Sequence, residues 1–238
     1  MGEFSTLPEV ILVEILKYLS LPDRSNAALV CRSWADVLNH PSLWASAEVV
    51  VGAAPMPFGC SEQRAKLIYY KGQFFRQLHL NVLYLQSDFS TEEHSILAQL
   101  ATCCRYISQL TIEVHDCRRI NTLFLQQNPI AMDCTRPITE FILSLHSLKT
   151  FRLKSWEFKD AEGNTGISSL AENNRIHDTL TCLNLYYDFS NKDWSARIFN
   201  PPSESEIIRA VQTFHCLHSF STQLSFLSER FDVFCFRA

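Results

Sequence analysis

Along residues 7–19 the apolar side chains recur at helical spacing. At 100° per residue, Pro8, Ile11, Leu12, Ile15, Leu16 and Leu19 form one stripe, and Leu7, Val10 and Val13 carry the apolar surface further round. Only Glu9, Glu14 and Lys17 are charged. A helix that is apolar nearly all round is buried on several sides, so the pattern predicts that another polypeptide covers part of it. Thr6-Leu7-Pro8-Glu9 reads as a capping box that starts the helix, with a proline in the first turn, where its missing N–H costs nothing. Ser20-Leu21-Pro22 ends it, and Asp23 is placed to cap a second helix bearing Ala27, Ala28, Leu29 and Val30. A third run through Trp34, Val37 and Leu38 stops at His40-Pro41, just before Leu43-Trp44. Three short helices with two tryptophans make too small a core to stand alone.

Residues 47–51 fit a short strand, and residues 52–59, with Gly52, Pro55, Pro57 and Gly59, read as a linker or turn. Residues 61–71 follow as a connecting helix. The pattern then changes to a repeat. Phe75-x-x-Leu78-x-Leu80, Ile107-x-x-Leu110-x-Ile112, Leu148-x-x-Phe151-x-Leu153 and Leu180-x-x-Leu183-x-Leu185 share one form, and Leu217-x-x-Phe220-x-Thr222 is a worn fifth copy. The alternation at the end of each copy places two apolar side chains on one face of a short strand. Helical patterns at 92–104, 138–146, 167–176 and 204–216 precede the later copies. Three stretches result: 1–48, 49–71 and 72–238.

The first of these resembles an F-box. Leu7-Pro8, Ile11-Leu12, Ile15-Leu16, Leu19, Asp23, Val30-Cys31-Arg32-x-Trp34 and Leu43-Trp44 stand at that family's spacings. Val10 stands where the family often has an acid, and the acid here is Glu9. The resemblance implies docking on the Skp adaptor of cullin-based SCF ubiquitin ligases. It assigns that docking to Leu7, Pro8, Ile11, Leu12, Ile15, Leu16, Val30, Cys31, Trp34, Leu43 and Trp44. Helix then strand, repeated, resembles the leucine-rich-repeat plan, in which each unit buries its apolar face against its neighbours. Copies starting at 75, 107, 148, 180 and 217 give steps of 32, 41, 32 and 37, longer than the roughly 20–29 of ordinary repeats. Leu83, His115, Trp156 and Asp188 stand where the asparagine or cysteine of that family is expected. The expected fold is therefore α/β: a three-helix F-box, then an irregular solenoid of helix–strand units with a curved parallel sheet. An α/β domain without solenoid geometry is the alternative.

Composition narrows the functional classes. At 238 residues, with 47% hydrophobic and 12% aromatic residues, the chain can build a substantial core. A formal charge of −4 argues against general nucleic-acid binding. The opening residues include Glu3 rather than a basic segment, so no secretory signal is expected. The uncharged run from Val49 is interrupted by Pro55 and Pro57 and is too short for a membrane span. Nine cysteines at irregular spacings, without a C-x-x-C or a glycosylation sequon, fit reduced thiols in the cytoplasm or nucleus.

Candidate chemistry is sparse. Six glycines compose no phosphate-cradling loop, and neither G-x-S-x-G nor H-E-x-x-H occurs. His215-Cys216-x-His218 is the densest cluster of metal-ligand residue types but lacks the further ligands a tetrahedral site needs. Adjacent Cys103 and Cys104 read as one buried and one exposed thiol. Gly2 and Cys235 fit loose acylation and prenylation patterns, against which stand Glu3 and the charged Arg237. No catalytic residue, cofactor or metal is expected. Recognition falls instead to strand side chains that alternate away from the core: His79, Asn81, Thr111, Glu113, Arg152, Lys154, Asn184 and Tyr186, beside Gln77, Gln109, Thr150 and Cys182. In a curved solenoid these positions line the recognition surface. The loop aromatics Trp156, Phe158, Tyr187, Phe189 and Trp194 are further anchors.

The resemblances together imply a non-catalytic substrate receptor of an SCF-type ligase. Its partners would be a Skp-type adaptor, through it a cullin–RING ligase, and an unidentified target protein. An adaptor-bound scaffold without a degradative role is the alternative. At the far end, Thr222 replaces the apolar residue of the other copies, and Phe226, Leu227, Phe231, Val233, Phe234 and Phe236 follow. Two explanations stay open: an apolar plug folded over the last unit, or a shortened form lacking later repeats. The plug is the expectation adopted. Slow amide exchange across residues 224–238 supports it, and rapid exchange there overturns it.

Overall fold

The computed structural model describes residues 7–19, 21–52, 61–84, 91–116, 135–154, 166–186 and 204–222. Helices α1 (Glu9–Lys17), α2 (Leu21–Ala27) and α3 (Arg32–Val37) lead through a 3-10 turn, Pro41–Trp44, into β1 (Ser46–Val51). Helix and strand then alternate: α4 (Ser61–Lys71), β2 (Gln77–Tyr84), α5 (Thr91–Cys103), β3 (Gln109–Asp116), α6 (Thr135–Ser144) and β4 (Thr150–Lys154). The series ends with α7 (Gly166–Glu172), β5 (Cys182–Tyr186), α8 (Glu204–Thr213) and β6 (Ser219–Thr222). The strands form one parallel sheet in the order β1-β2-β3-β4-β5-β6, and α4 through α8 pack each on the next. This is the helix–strand solenoid that the repeat pattern anticipates.

The register explains why the repeat is legible. Ala47, Leu78, Leu110, Phe151, Leu183 and Phe220 lie side by side, as do Val49, Leu80, Ile112, Leu153, Leu185 and Thr222. In both rows the residues of β2 to β5 are buried. The residue two before each strand forms a third row: Trp44, Phe75, Ile107, Leu148, Leu180 and Leu217, of which all but the last are buried.

Between the third row and the strand stands one carbonyl per unit. That of Ala45 accepts the N–H groups of Arg76 (2.8 Å) and Gln77 (2.9 Å). Arg76 accepts from Ser108 and Gln109, Ser108 from Lys149 and Thr150, Lys149 from Thr181 and Cys182, and Thr181 from His218 and Ser219. Each unit thus satisfies the first two donors of the next, which would otherwise face the sheet's end without partners.

The sheet starts earlier than the sequence reading expects. Residues 49–71, read there as linker and connecting helix, contribute part of β1 and all of α4, which lie in the same sheet and helix layers as the later units. Trp44-x-x-Ala47-x-Val49 has the form of the repeat and is its first copy. It escapes notice because Ala47 is a weak apolar signal and Trp44 also belongs to the helical stretch before it. Gly52 ends β1 at φ +121°, where a Cβ would meet the Leu83 carbonyl oxygen at 2.0 Å, so only glycine fits. Its N–H donates to Oε1 of buried Glu93 at 2.8 Å, tying this end to the first turn of α5.

On the helix side, Asn173 is buried and its amide is well used. Nδ2 donates to the carbonyls of Ile142 (2.9 Å) and Leu145 (3.0 Å), and Oδ1 accepts from the Arg175 N–H (3.1 Å). It closes the C-terminal turn of α6 from the neighbouring unit, where backbone acceptors lack intrahelical partners. Replacing Asn173 with alanine removes these three hydrogen bonds from a buried site and is expected to cost about 2–4 kcal/mol. Chemical denaturation checks this: the midpoint should fall with the slope unchanged.

Candidate protein-docking surfaces

Helix α1 starts at Glu9. Pro8 occupies its cap position, and its carbonyl accepts from the N–H groups of Ile11 (3.0 Å) and Leu12 (3.1 Å), with no side-chain cap. Thr6, the expected capping residue, lies outside the described residues. Asp23 falls inside the first turn of α2 rather than capping it, because that helix already begins at Leu21.

The apolar stripe of α1 divides in two. Leu12, Val13 and Leu16 turn inward and join Val37, Leu43 and Trp44 in the core, where α1 packs on α3 and on the 3-10 turn. Pro8, Ile11, Ile15 and Tyr18, at the 3-and-4 spacing of one helix face, turn outward with Val10 beside them. Val10 is 71% exposed and Tyr18 89%, while Leu29 (84%) and Val30 (64%) add apolar surface after α2. The docking list from sequence therefore divides by exposure in this chain. Leu12, Leu16, Leu43 and Trp44 have almost no surface left to offer a partner; they hold the helices in place. Pro8, Ile11, Ile15 and Val30 are exposed, and Leu7, Cys31 and Trp34 are half-buried.

Arg24 organises this surface, and the sequence reading does not single it out. From α2 its Nε donates to the Leu16 carbonyl (3.0 Å) and Nη2 to that of Lys17 (3.2 Å), while Nη1 donates to the carbonyl of Leu43. One guanidinium thus joins the end of α1 to the 3-10 turn, adding donors to carbonyls in the last turn of the helix, where α-helical partners run out. An arginine in a polar turn carries no sequence signal for such a role.

The second surface is the sheet face that carries the polar side chains of the strands. Register sets Glu48, His79, Thr111, Arg152, Asn184 and Ser221 in one row, and Val50, Asn81, Glu113, Lys154 and Tyr186 in the next. All eight target-binding candidates from sequence come together here. Glu48, Val50 and Ser221 are additions that follow once β1 and β6 are paired into the sheet. Glu113 sits at the centre, with Oε2 at 2.9 Å from Lys154 Nζ and 3.3 Å from His79 Nε2. The Asn81 amide donates to Glu48, and the Ser221 hydroxyl donates to Asn184 Oδ1 at 2.7 Å. Arg152 is exposed, and its side chain makes no hydrogen bond or ion pair among the described residues. The loop aromatics Trp156, Phe158, Tyr187, Phe189 and Trp194 lie outside the described residues.

Residues with catalytic potential are engaged elsewhere. His215 Nδ1 lies 2.9 Å from Asp178 Oδ1. Burial, with Cys103 alongside, pushes the Cys104 thiol up to about 12, far from a reactive thiolate. Among the described residues no three metal-ligand side chains gather, and no helix is long and apolar enough to cross a membrane.

Comparison with known proteins bears on the first surface. Residues 4–47 match the family model described as F-box-like. Over 107 residues the chain is 32% identical to F-box/LRR-repeat protein 21 of Mus musculus and 30% identical to its counterpart in Bos taurus. Each alignment covers 42% of this chain and 24% of the relative, so the match spans about a quarter of those proteins' length. The findings support an F-box protein with leucine-rich repeats.

Replacing Arg24 with alanine is expected to destabilise the helical unit by about 1.5–3 kcal/mol, the range for charge-assisted bonds. Amide exchange at Leu12 and Leu16 should accelerate in the variant, while the amides of β3 and β4 keep their protection.

Proposed function

We propose that this chain is a substrate-receptor subunit of an SCF-type ubiquitin ligase, in which the exposed side of α1 and the turn after α2 dock on a Skp-type adaptor. The observation that carries the proposal is the division of the α1 stripe. Its inner half completes the local core, and its outer half forms a contiguous apolar surface larger than an isolated exposed side chain would make. The F-box-like match covers the same residues. Pro8, Ile11, Ile15 and Val30 are the direct contacts in this reading, and Leu7, Cys31 and Trp34 border them. Leu12, Leu16, Leu43 and Trp44 support the contact from within.

The polar sheet face takes the target protein, through His79, Asn81, Thr111, Glu113, Arg152, Lys154, Asn184 and Tyr186. The chain itself performs no chemistry in this reading; it raises the effective concentration of the target near the ubiquitin-loaded enzyme. It acts in the cytoplasm or nucleus, where thiols stay reduced.

Two double substitutions separate the surfaces. Ile11→Glu with Ile15→Glu places charge on the exposed stripe and should weaken adaptor capture by about thirtyfold or more, with the melting temperature unchanged. Arg152→Glu with Lys154→Glu should leave adaptor capture intact and weaken target capture on the order of tenfold. Ubiquitination of the captured target in a reconstituted ligase completes the test. Adaptor binding that survives Ile11→Glu/Ile15→Glu would sink the docking assignment. A captured target left unmodified would favour the scaffold reading.

A further inference from the structure

The charges of the sheet face are not equally available. In the row Val50, Asn81, Glu113, Lys154 and Tyr186 the acid is taken up, since Glu113 Oε2 stands 2.9 Å from Lys154 Nζ and 3.3 Å from His79 Nε2. The neighbouring row runs Glu48, His79, Thr111, Arg152, Asn184 and Ser221. It holds one carboxylate and one guanidinium, both on exposed residues. Glu48 accepts from the neutral Asn81 amide, which leaves its charge uncancelled, and the Arg152 side chain has no polar partner among the described residues. Three strand steps separate Glu48 from Arg152, with His79 and Thr111 between them. At about 4.8 Å per step, the separation is about 14 Å.

We propose that the target segment crosses the strands as an extended chain, with a basic side chain over Glu48 and an acidic side chain over Arg152, about four residues apart. The proposal rests on the reading of the sheet face as the target-binding surface and adds the chemistry of the segment that fits it. The spacing follows from the sheet. An extended chain advances about 3.3 Å per residue, so it covers the separation in about four. Side chains four apart lie on one side of an extended chain, so both charges turn to the sheet together. A helix, rising about 1.5 Å per residue, needs about nine or ten, and at about 100° per residue those spacings turn the two side chains to different sides. Between the two ends, the Thr111 hydroxyl is able to donate to or accept from the segment. A uniformly acidic or uniformly basic segment fits less well, because either sets a like charge over one end of the row. Exposed pairs of this kind contribute at most about fivefold each in affinity. Their effect falls on which segment is chosen and how it is aligned.

The probes are short threonine–serine peptides, their binding to the whole chain followed by NMR at low ionic strength, where exposed charges are least screened. One carries a lysine and a glutamate at the derived spacing. The others carry the same two residues one position closer, two glutamates, two lysines, or two glutamines. The lysine–glutamate peptide at the derived spacing should bind at least about threefold more tightly than each of the others. Glu48→Lys should turn the preference to the two-glutamate peptide, and Arg152→Glu to the two-lysine peptide, each by a similar factor. A reversed preference requires a folded sheet face, so unfolding does not produce it. Equal binding of all the peptides, or binding of none, overturns the proposal. So does tightest binding of the closer-spaced peptide, or a preference that both variants leave unchanged. If Arg152→Glu/Lys154→Glu still loses its target alongside such a result, the sheet face remains the target surface and only the charge pattern falls.

Discussion

A single backbone carbonyl ahead of each strand holds this protein in register. Ala45, Arg76, Ser108, Lys149 and Thr181 each accept two N–H groups from the unit that follows. In two units a hydroxyl joins the same acceptor: Ser108 Oγ donates to Arg76 and Thr181 Oγ1 to Lys149, both at 3.0 Å. A slip of one residue would orphan two donors and turn every apolar strand side chain from the helix layer to the polar face. Helices of different length and loops of different length are therefore tolerated between the strands. What must repeat is the short segment from the buried residue before the strand to the second apolar residue within it.

That constraint reaches back into the helical unit. Trp44 ends the F-box-like stretch and also fills the first place in the row continued by Phe75, Ile107, Leu148 and Leu180. Its indole N–H donates to the Leu38 carbonyl at 2.7 Å, and Lys71 Nζ lies 5.3 Å from the ring while donating to Asn39 Oδ1 at 2.8 Å. The end of α4 is thereby fastened to the helices before β1. A partner on α1 and a partner on the sheet face would be held at a set distance from one another. For the function proposed, this matters more than the strength of either contact, because effective concentration depends on how firmly two sites are linked.

Charge is distributed unevenly over the chain. On the sheet face Glu113 lies between Lys154 and His79. The turns before the strands are rich in cations: Arg76, Arg105, Lys149 and Arg175 all fall there. Part of this has a local cause, since each turn follows the C-terminal end of a helix, where backbone carbonyls favour positive charge. Arg76 finds further company 5.8 Å from the ring of Tyr106.

The repeat was legible in sequence because strand pairing in register demands the same spacing of apolar residues in every unit, and Leu78, Leu110, Phe151 and Leu183 display it openly. The helical stretch was legible for a similar reason, its apolar residues recurring at 3 and 4. Sequence could not tell which half of the α1 stripe is buried, since Ile11 and Leu12 are equally apolar and only the positions of α3 and the 3-10 turn separate them. It found the strand at 47–51 but not its place as the first copy of the repeat, where Ala47 gives little signal, nor the role of Arg24, whose partners are backbone carbonyls common to every residue. His146 and Arg175 lie far apart along the chain and share no motif, yet Arg175 Nη1 stands 2.6 Å from His146 Nε2. Periodicity is a property of one segment and can be read from it; proximity between segments arises only when the units stack, and that was left to the tertiary structure.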